Sequence, residues 1–452
     1  MRVYQKECQR LNQSEAFVKS GFPHFGVNKK QEVIRLLYEI SKREGVLPSE
    51  IVAVKARGDY DALKKELLGK RYPLSSLDAQ ALTPHLPKIG LKASEGVSLK
   101  KKKFSPKNIF TEKKAAGSRL VTRLKNVFPQ ARFTEIGSLK EYIRDTAPFT
   151  VEKYNKRQDT LFIVNENYDF FKGCPCTCAA LHCGYHLFNL GFGCIYECSY
   201  CFLQEYTNSP GIILTANIDA FFKEFSAYKR RGMRLGTGEF SDSLALDAVT
   251  EYSIPLVEFF RKHEEISFEF KTKSTMIENL LEAPSAPNIV ISWSVNPQEI
   301  IEENEFFTPS LEERLLAAQK CAAAGYRVGF HFDPLIYFPG WEKRYASVIE
   351  NIFSRIKPKD IAWISLGTFR FSPGLKQVIE RRFPTNKILD GELLLGYDNK
   401  LRYPYGIRYE IYRKILARLR HYSREVSSYL CMEEINMWKD LNLRMPSFAA
   451  NE

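Results

Sequence analysis

The chain has 452 residues, 44% of them hydrophobic, and its 66 Lys+Arg against 53 Asp+Glu give a net charge of +13. That length suits two or three domains of an ordinary globular protein. No apolar run approaches the roughly 20 residues of a membrane span, and the start Met1-Arg-Val-Tyr-Gln-Lys lacks a signal peptide's apolar stretch, so a cytoplasmic protein with no membrane partner is expected.

In chain order, residues 1–90 predict a basic, mainly helical domain. Lys29 to Arg43 places Val33, Leu36, Leu37 and Ile40 at helical spacing, and Asp59 can cap a second run through Leu68. Such a pair either reads DNA or is a simple packing unit. Residues 91–118, with Leu99-Lys-Lys-Lys-Lys-Phe-Ser-Pro-Lys, read as a basic, mobile linker. Residues 1–118 hold 24 Lys+Arg against 12 Asp+Glu, so twelve of the thirteen excess positive charges lie in this first quarter. They mark either a phosphate-binding module or a solubilising tail.

Residues 119–375 alternate short apolar runs with helical patterns, the sign of a parallel sheet. Six strands are predicted: His186 to Gly191, Met233 to Thr237, Ile266 to Lys271, Asn288 to Ser294, Arg327 to Phe332 and Ile361 to Leu366. Helices fall between them at Ser243 to Lys262, Ser310 to Ala324 and Trp341 to Ile356. The fold class is therefore α/β, a partial barrel of six strand-helix units with its chemistry at the C-terminal strand ends. Residues 376–452 form an extension, a hairpin within Leu393 to Tyr412 and a helix from Arg408 to about Ser427.

Seven of the ten cysteines lie between Cys174 and Cys201, which in a reducing compartment points to metal rather than disulfides. Cys194, Cys198 and Cys201 form a C-x3-C-x2-C run after the first strand. Three thiolates on one tight loop suit three irons of a 4Fe-4S cluster and leave the fourth iron open. At that iron the amino and carboxylate groups of S-adenosylmethionine (SAM) can chelate, so that an electron from the cluster cleaves the sulfonium and releases a 5′-deoxyadenosyl radical. Structural zinc, which takes two cysteine pairs, fits the spacing poorly.

Other candidates cluster around these. Gly236 and Gly238 let the backbone approach a ligand and leave Glu239 at the end of the second strand, while Lys273, Ser294 and Asn296 occupy the same rim. Cys174, Cys176, Cys178 and Cys183 either hold a second metal, cluster or zinc, or are packing and free thiols. His331 and Asp333 end the fifth strand, facing a substrate or satisfied in the core.

With these residues in place, roughly 119–440 resembles the spore photoproduct lyase family, radical SAM enzymes that reverse a thymine dimer in irradiated spore DNA. The resemblance rests on Thr160-Leu-Phe-Ile-Val, Cys198-Ser-Tyr-Cys-Phe-Leu-Gln, Ser241-Asp242, Phe270-Lys-Thr-Lys273, Trp293-Ser-Val-Asn296, Ala324-Gly-Tyr-Arg-Val-Gly-Phe, Gly340-Trp-Glu, Arg402-Tyr403 and Tyr405-Gly406. It implies SAM contacts at Tyr200, Ser241, Lys273, Ser294 and Asn296, and DNA contacts at Arg402 and Tyr403 on a hairpin that reaches the lesion. Glu239, resembling the SAM-contacting segment, and Tyr200 are the catalytic candidates. Two positions depart from the family. Glu239 stands where the lyase keeps a hydrogen-donating cysteine, and Phe202 replaces one member of its tyrosine pair. These departures imply a branch with different late chemistry or a different substrate. The expected partners are DNA, with RNA, a peptide or a small molecule as alternative substrates, and an electron donor such as flavodoxin or ferredoxin. A cluster protein that binds or senses nucleic acid without catalysis is the remaining reading.

Overall fold

The computed structural model describes residues 2–52, 59–75, 84–100, 103–146, 148–166, 170–176 and 180–444. They fall into two units, 1–98 with 369–408 and 99–368 with 409–452. The predicted boundaries at 90, 118 and 375 thus differ from this division, which joins the N-terminal helices to a segment almost 300 residues later.

In the first unit, helices Arg2–Gly21, Val27–Glu44 and Tyr60–Arg71 pack through Val18, Phe22, Val33, Leu36, Leu37, Ile40, Leu63 and Leu67, with Leu394 of the later segment in the same core. Asp59 accepts from the Asp61 amide at the start of its helix. Part of the basic excess is internal. Buried Arg35 pairs with Glu380 at 2.5 Å, while Glu39 takes Arg71 at 2.7 Å and Lys376 at 2.7 Å. Arg35 and Arg71 are therefore structural cations that stitch the two stretches together.

The second unit carries an eight-stranded sheet in the order Ser428–Leu430, Ile361–Thr368, Arg327–Leu335, Ile289–Ser294, Ser267–Thr272, Arg234–Thr237, Tyr185–Phe188, Phe171–Gly173. All its pairings are parallel except the last. The six predicted strands are its six central members. Ile289–Ser294 and Ile361–Thr368 are buried at every position, as parallel strands covered on both faces must be. The expected helix Ser243 to Lys262 is two, Asp247–Thr250 and Ser253–Phe260, because Glu251 between them adopts a left-handed φ of 55°.

A second sheet of five strands runs Arg132–Ile136, Asn108–Glu112, Thr160–Val164, Ile212–Thr215, Gly191–Phe192. Asn108–Glu112 overturns the mobile-linker expectation for that stretch. Its Ile109 is fully buried, and the strand pairs in parallel on both sides, so local charge density gave no measure of its packing.

Helix Leu311–Ala323 starts at a capping box, with the Glu313 amide 3.3 Å from Ser310 Oγ and the Ser310 amide 2.7 Å from Glu313 Oε2. Ser310→Ala should lower stability by about 1 kcal/mol, read from the urea midpoint at unchanged slope. Among the described residues, no helix is long and apolar enough to cross a membrane.

Candidate active site

The three-cysteine loop follows the first barrel strand and is fixed by side chains outside the cysteine spacing. Arg157, buried beside it, pairs with Glu197 at 2.6 Å and donates to the carbonyls of Cys194 at 3.1 Å and Tyr196 at 2.6 Å. Gln158 Nε2 donates to the Ile195 carbonyl at 2.6 Å, and Gln204 Nε2 to those of Ser199 and Cys201 at 2.8 and 2.9 Å. Gln204 ends the Cys-Ser-Tyr-Cys-Phe-Leu-Gln run, so among these clamps it alone carries a sequence signal. Gly193, at φ 100°, turns the chain into the loop.

Burial pushes the Cys194 thiol up to about 12, and the Cys198 thiol well above its ordinary value for the same reason. Metal binding at this loop must therefore displace protons. Among the described residues, no three His, Cys, Asp or Glu side chains converge on a single ion. An all-thiolate donor set on one fixed loop fits a cubane, in which each thiolate takes its own iron.

Opposite the loop, strand Glu305–Phe306 pairs antiparallel with Glu197–Cys198, placing Glu305 across from Cys198. Fully buried Glu305 accepts from Tyr200 Oη at 2.5 Å and Asn296 Nδ2 at 2.9 Å, and pairs with Arg314 at 2.6 Å. Burial alone would raise its pKa, but Arg314 and Lys273 outweigh that and hold it at about 2. Asn296 also accepts from Tyr345 Oη at 2.8 Å, and Arg314 donates to the Ser294 carbonyl at 2.9 Å. Tyr200 and Asn296 are thus brought together on one carboxylate, Ser294 joins them only through its carbonyl on Arg314, and the Lys273 ammonium lies 5.8 Å from the Tyr200 ring centre. Ser241 lies on the neighbouring turn, where Asp242 accepts from the amides of Leu244, Ala245 and Lys273.

The glycines divide. Gly238, at φ 103°, shapes the rim turn, where an added Cβ would lie 2.7 Å from the Lys271 carbonyl oxygen. Gly236 makes room for Tyr185, whose hydroxyl would sit 2.0 Å from such a carbon, so steric accommodation of that ring accounts for it. Glu239 is paired with Lys172 at 3.4 Å; burial raises its pKa more than Lys172 lowers it. Cys174 and Cys176 bring their sulfurs to 3.8 Å, Cys183 is buried, and Cys178 lies outside the described residues.

His331 belongs to a buried layer in which Glu269 accepts from His331 at 2.7 Å and Trp363 Nε1 at 3.0 Å and pairs with Arg234 at 3.0 Å. Burial lowers the His331 pKa to about 4, the satisfied-core outcome. Arg402 and Tyr403, expected as DNA contacts, lie inside the hairpin unit. Both are buried, Arg402 against Asp398 and with its guanidinium 4.6 Å from the centre of the Tyr397 ring.

A curled parallel half-barrel with a C-x3-C-x2-C loop past its first strand is the architecture of a radical SAM enzyme. The family model for spore photoproduct lyase matches residues 104–431, and the chain belongs to this family of lyases. It is 31% identical over 240 residues to the spore photoproduct lyase of Geobacillus sp. (strain Y412MC61), across 51% of this chain and 68% of the relative. It is 30% identical over 234 residues to that of Bacillus subtilis (strain 168), across 49% and 66%. The aligned stretch thus spans about two thirds of either relative. A spore photoproduct lyase mutant with bound AdoMet and dinucleoside spore photoproduct superposes with a TM-score of 0.63 at 24% identity, covering 73% of this chain and all of the other, a likeness of fold.

Proposed function

We propose that this chain is a radical SAM enzyme that repairs a DNA photolesion, with a 4Fe-4S cluster on Cys194, Cys198 and Cys201 and SAM at the rim. The observation that carries the reading is the Glu305-centred cluster of Tyr200, Asn296 and Arg314, built directly across from Cys198. When bound, the cluster and SAM supply a carbon-centred radical. The protein's own part is positional. Arg157, Gln158 and Gln204 hold the loop, Glu305 keeps Tyr200 and Asn296 in place, and the Lys273 ammonium stands ready for a carboxylate. The relatives are named for spore photoproduct, and the complex just described holds a dinucleoside form of it, which supports a DNA lesion as substrate. A flavodoxin or ferredoxin would deliver the electron.

Glu239 favours a second reading of the substrate. A carboxylate ion-paired with Lys172 cannot donate a hydrogen atom as a thiol does, so a lesion other than the spore photoproduct fits this branch as well. The test is to reconstitute and reduce the protein and to supply oligonucleotides carrying one defined dimer each. SAM-derived 5′-deoxyadenosine with conversion of one lesion is expected. Cleavage of SAM with every lesion left intact overturns the repair assignment, and no 5′-deoxyadenosine at all overturns the enzymatic one.

A further inference from the structure

Beside the cysteine loop the rim carries aromatic rings that the core does not absorb. Helix Leu203–Tyr206 buries Leu203 and Gln204 and leaves Phe202 at 38% and Tyr206 at 66% exposure, their rings edge-on at 5.5 Å. Phe240 lies 6.3 Å from Phe202 and 5.1 Å from Phe192. The Gly193 amide donates to the Phe240 carbonyl at 2.8 Å and ties this ring's backbone to the entry of the loop. The Lys172 ammonium lies 4.4 Å from the centre of the Phe240 ring, held there by Glu239, with its side chain 39% exposed.

Two exposed rings, Phe202 and Tyr206, continued by the half-buried Phe240 beside a cation, have a definite chemical complement. A purely apolar partner would meet the rings alone, whereas a nucleic-acid strand offers planar bases for the rings and a phosphate that can share the half-exposed Lys172 ammonium with Glu239. Enzymes that act on a base must unstack it, and stacking on protein rings replaces the interactions its neighbours lose. We propose that Tyr206, Phe202 and Phe240, flanked by Lys172, form a stacking strip for unpaired bases of the substrate strand. This rests on the nucleic-acid reading above and adds where the strand runs. Stacking tolerates any base, so the strip supplies affinity for unpaired strands without choosing a sequence.

The test uses the full-length protein and two fluorescent probes of equal length at fixed salt, a single-stranded thymidine oligonucleotide and an abasic phosphate strand. Tighter binding of the thymidine strand is expected. Tyr206→Ala should weaken that binding about tenfold and leave the abasic strand unaffected, while Tyr206→Trp keeps it. Tyr206 is largely exposed, so folding is not at stake, and Phe240→Ala provides the second variant. Equal binding of both probes by the unaltered protein, or unchanged thymidine binding in both alanine variants, overturns the strip and leaves the nucleic-acid reading standing. Binding of neither probe overturns both.

Discussion

Cys198→Ala should leave the reconstituted protein without its cluster and reduce 5′-deoxyadenosine formation to background. Cys198 is the middle of three thiolates on a loop whose carbonyls are clamped by Arg157, Gln158 and Gln204, so no neighbouring cysteine can move into its place without breaking those bonds. Two thiolates secure only two irons, and the remaining iron sites would be open to solvent. Cys194→Ala and Cys201→Ala should behave alike. Cys321→Ala is the control, since Cys321 is buried in helix Leu311–Ala323 and its change costs packing alone. Iron and sulfide content, the visible absorption of the cluster and 5′-deoxyadenosine yield are the measurements. Retention of full iron content and turnover by Cys198→Ala would sink the cluster assignment. Iron retained by a triple alanine variant of the loop would point instead to Cys174 and Cys176.

The barrel was legible because fully buried parallel strands announce themselves as apolar runs. Ile289–Ser294 and Arg327–Leu335 fall within a residue or three of their predicted limits. The five-stranded sheet was not legible, because Asn108–Glu112 sits among lysines and acquires its partners only through residues 132–136 and 160–163. The same limit applies to polar residues. The sequence marks Arg402 as a cation on a hairpin but not that Asp398 neutralises it in the interior. At the site, the cysteine spacing is a local signal carried by eight consecutive residues, Cys194 to Cys201. Glu305, by contrast, gathers Tyr200 from 105 positions away and Arg314 from nine, and no motif encodes that meeting. A glutamate in a plain acidic stretch, Glu302-Glu-Asn-Glu305, gives no hint of which member will be buried. The first unit poses the same problem at larger scale, for Glu39 meets Lys376 across more than three hundred residues.

Glu305→Ala is the second change expected to have a large effect, and it couples stability to the site. Arg314 is fully buried, and removing its carboxylate strands a guanidinium away from water. Breaking a buried pair in this way costs about 3–5 kcal/mol, against a typical total stability of about 5–15 kcal/mol. The urea midpoint should fall accordingly. The pH dependence provides the signature. The folded pKa of Glu305 is about 2, below its ordinary 4.5, so the unfolded chain takes up the proton first as pH falls. The carboxylate's contribution is therefore fully present above about pH 4.5 and is lost toward about pH 2, and the alanine variant should show a flatter stability profile across that window. Arg314→Met alone should also destabilise, leaving Glu305 with only the Lys273 charge to offset its burial. In the double variant Glu305→Ala with Arg314→Met, the loss should be smaller than the sum of the two, because neither partner is left charged and alone. Glu305→Gln separates charge from geometry. It can still accept from Tyr200 or Asn296 but cannot neutralise Arg314, so a Gln variant as stable as the parent would place the energy in the hydrogen bonds. The alanine variant removes the acceptor that Tyr200 and Asn296 share, leaving Asn296 held by Tyr345 alone, and SAM affinity measured on the folded, reconstituted protein should fall with it. If affinity stayed at the parent value while stability fell, Glu305 would be an ion-pair partner for Arg314 and no part of the arrangement that holds the rim.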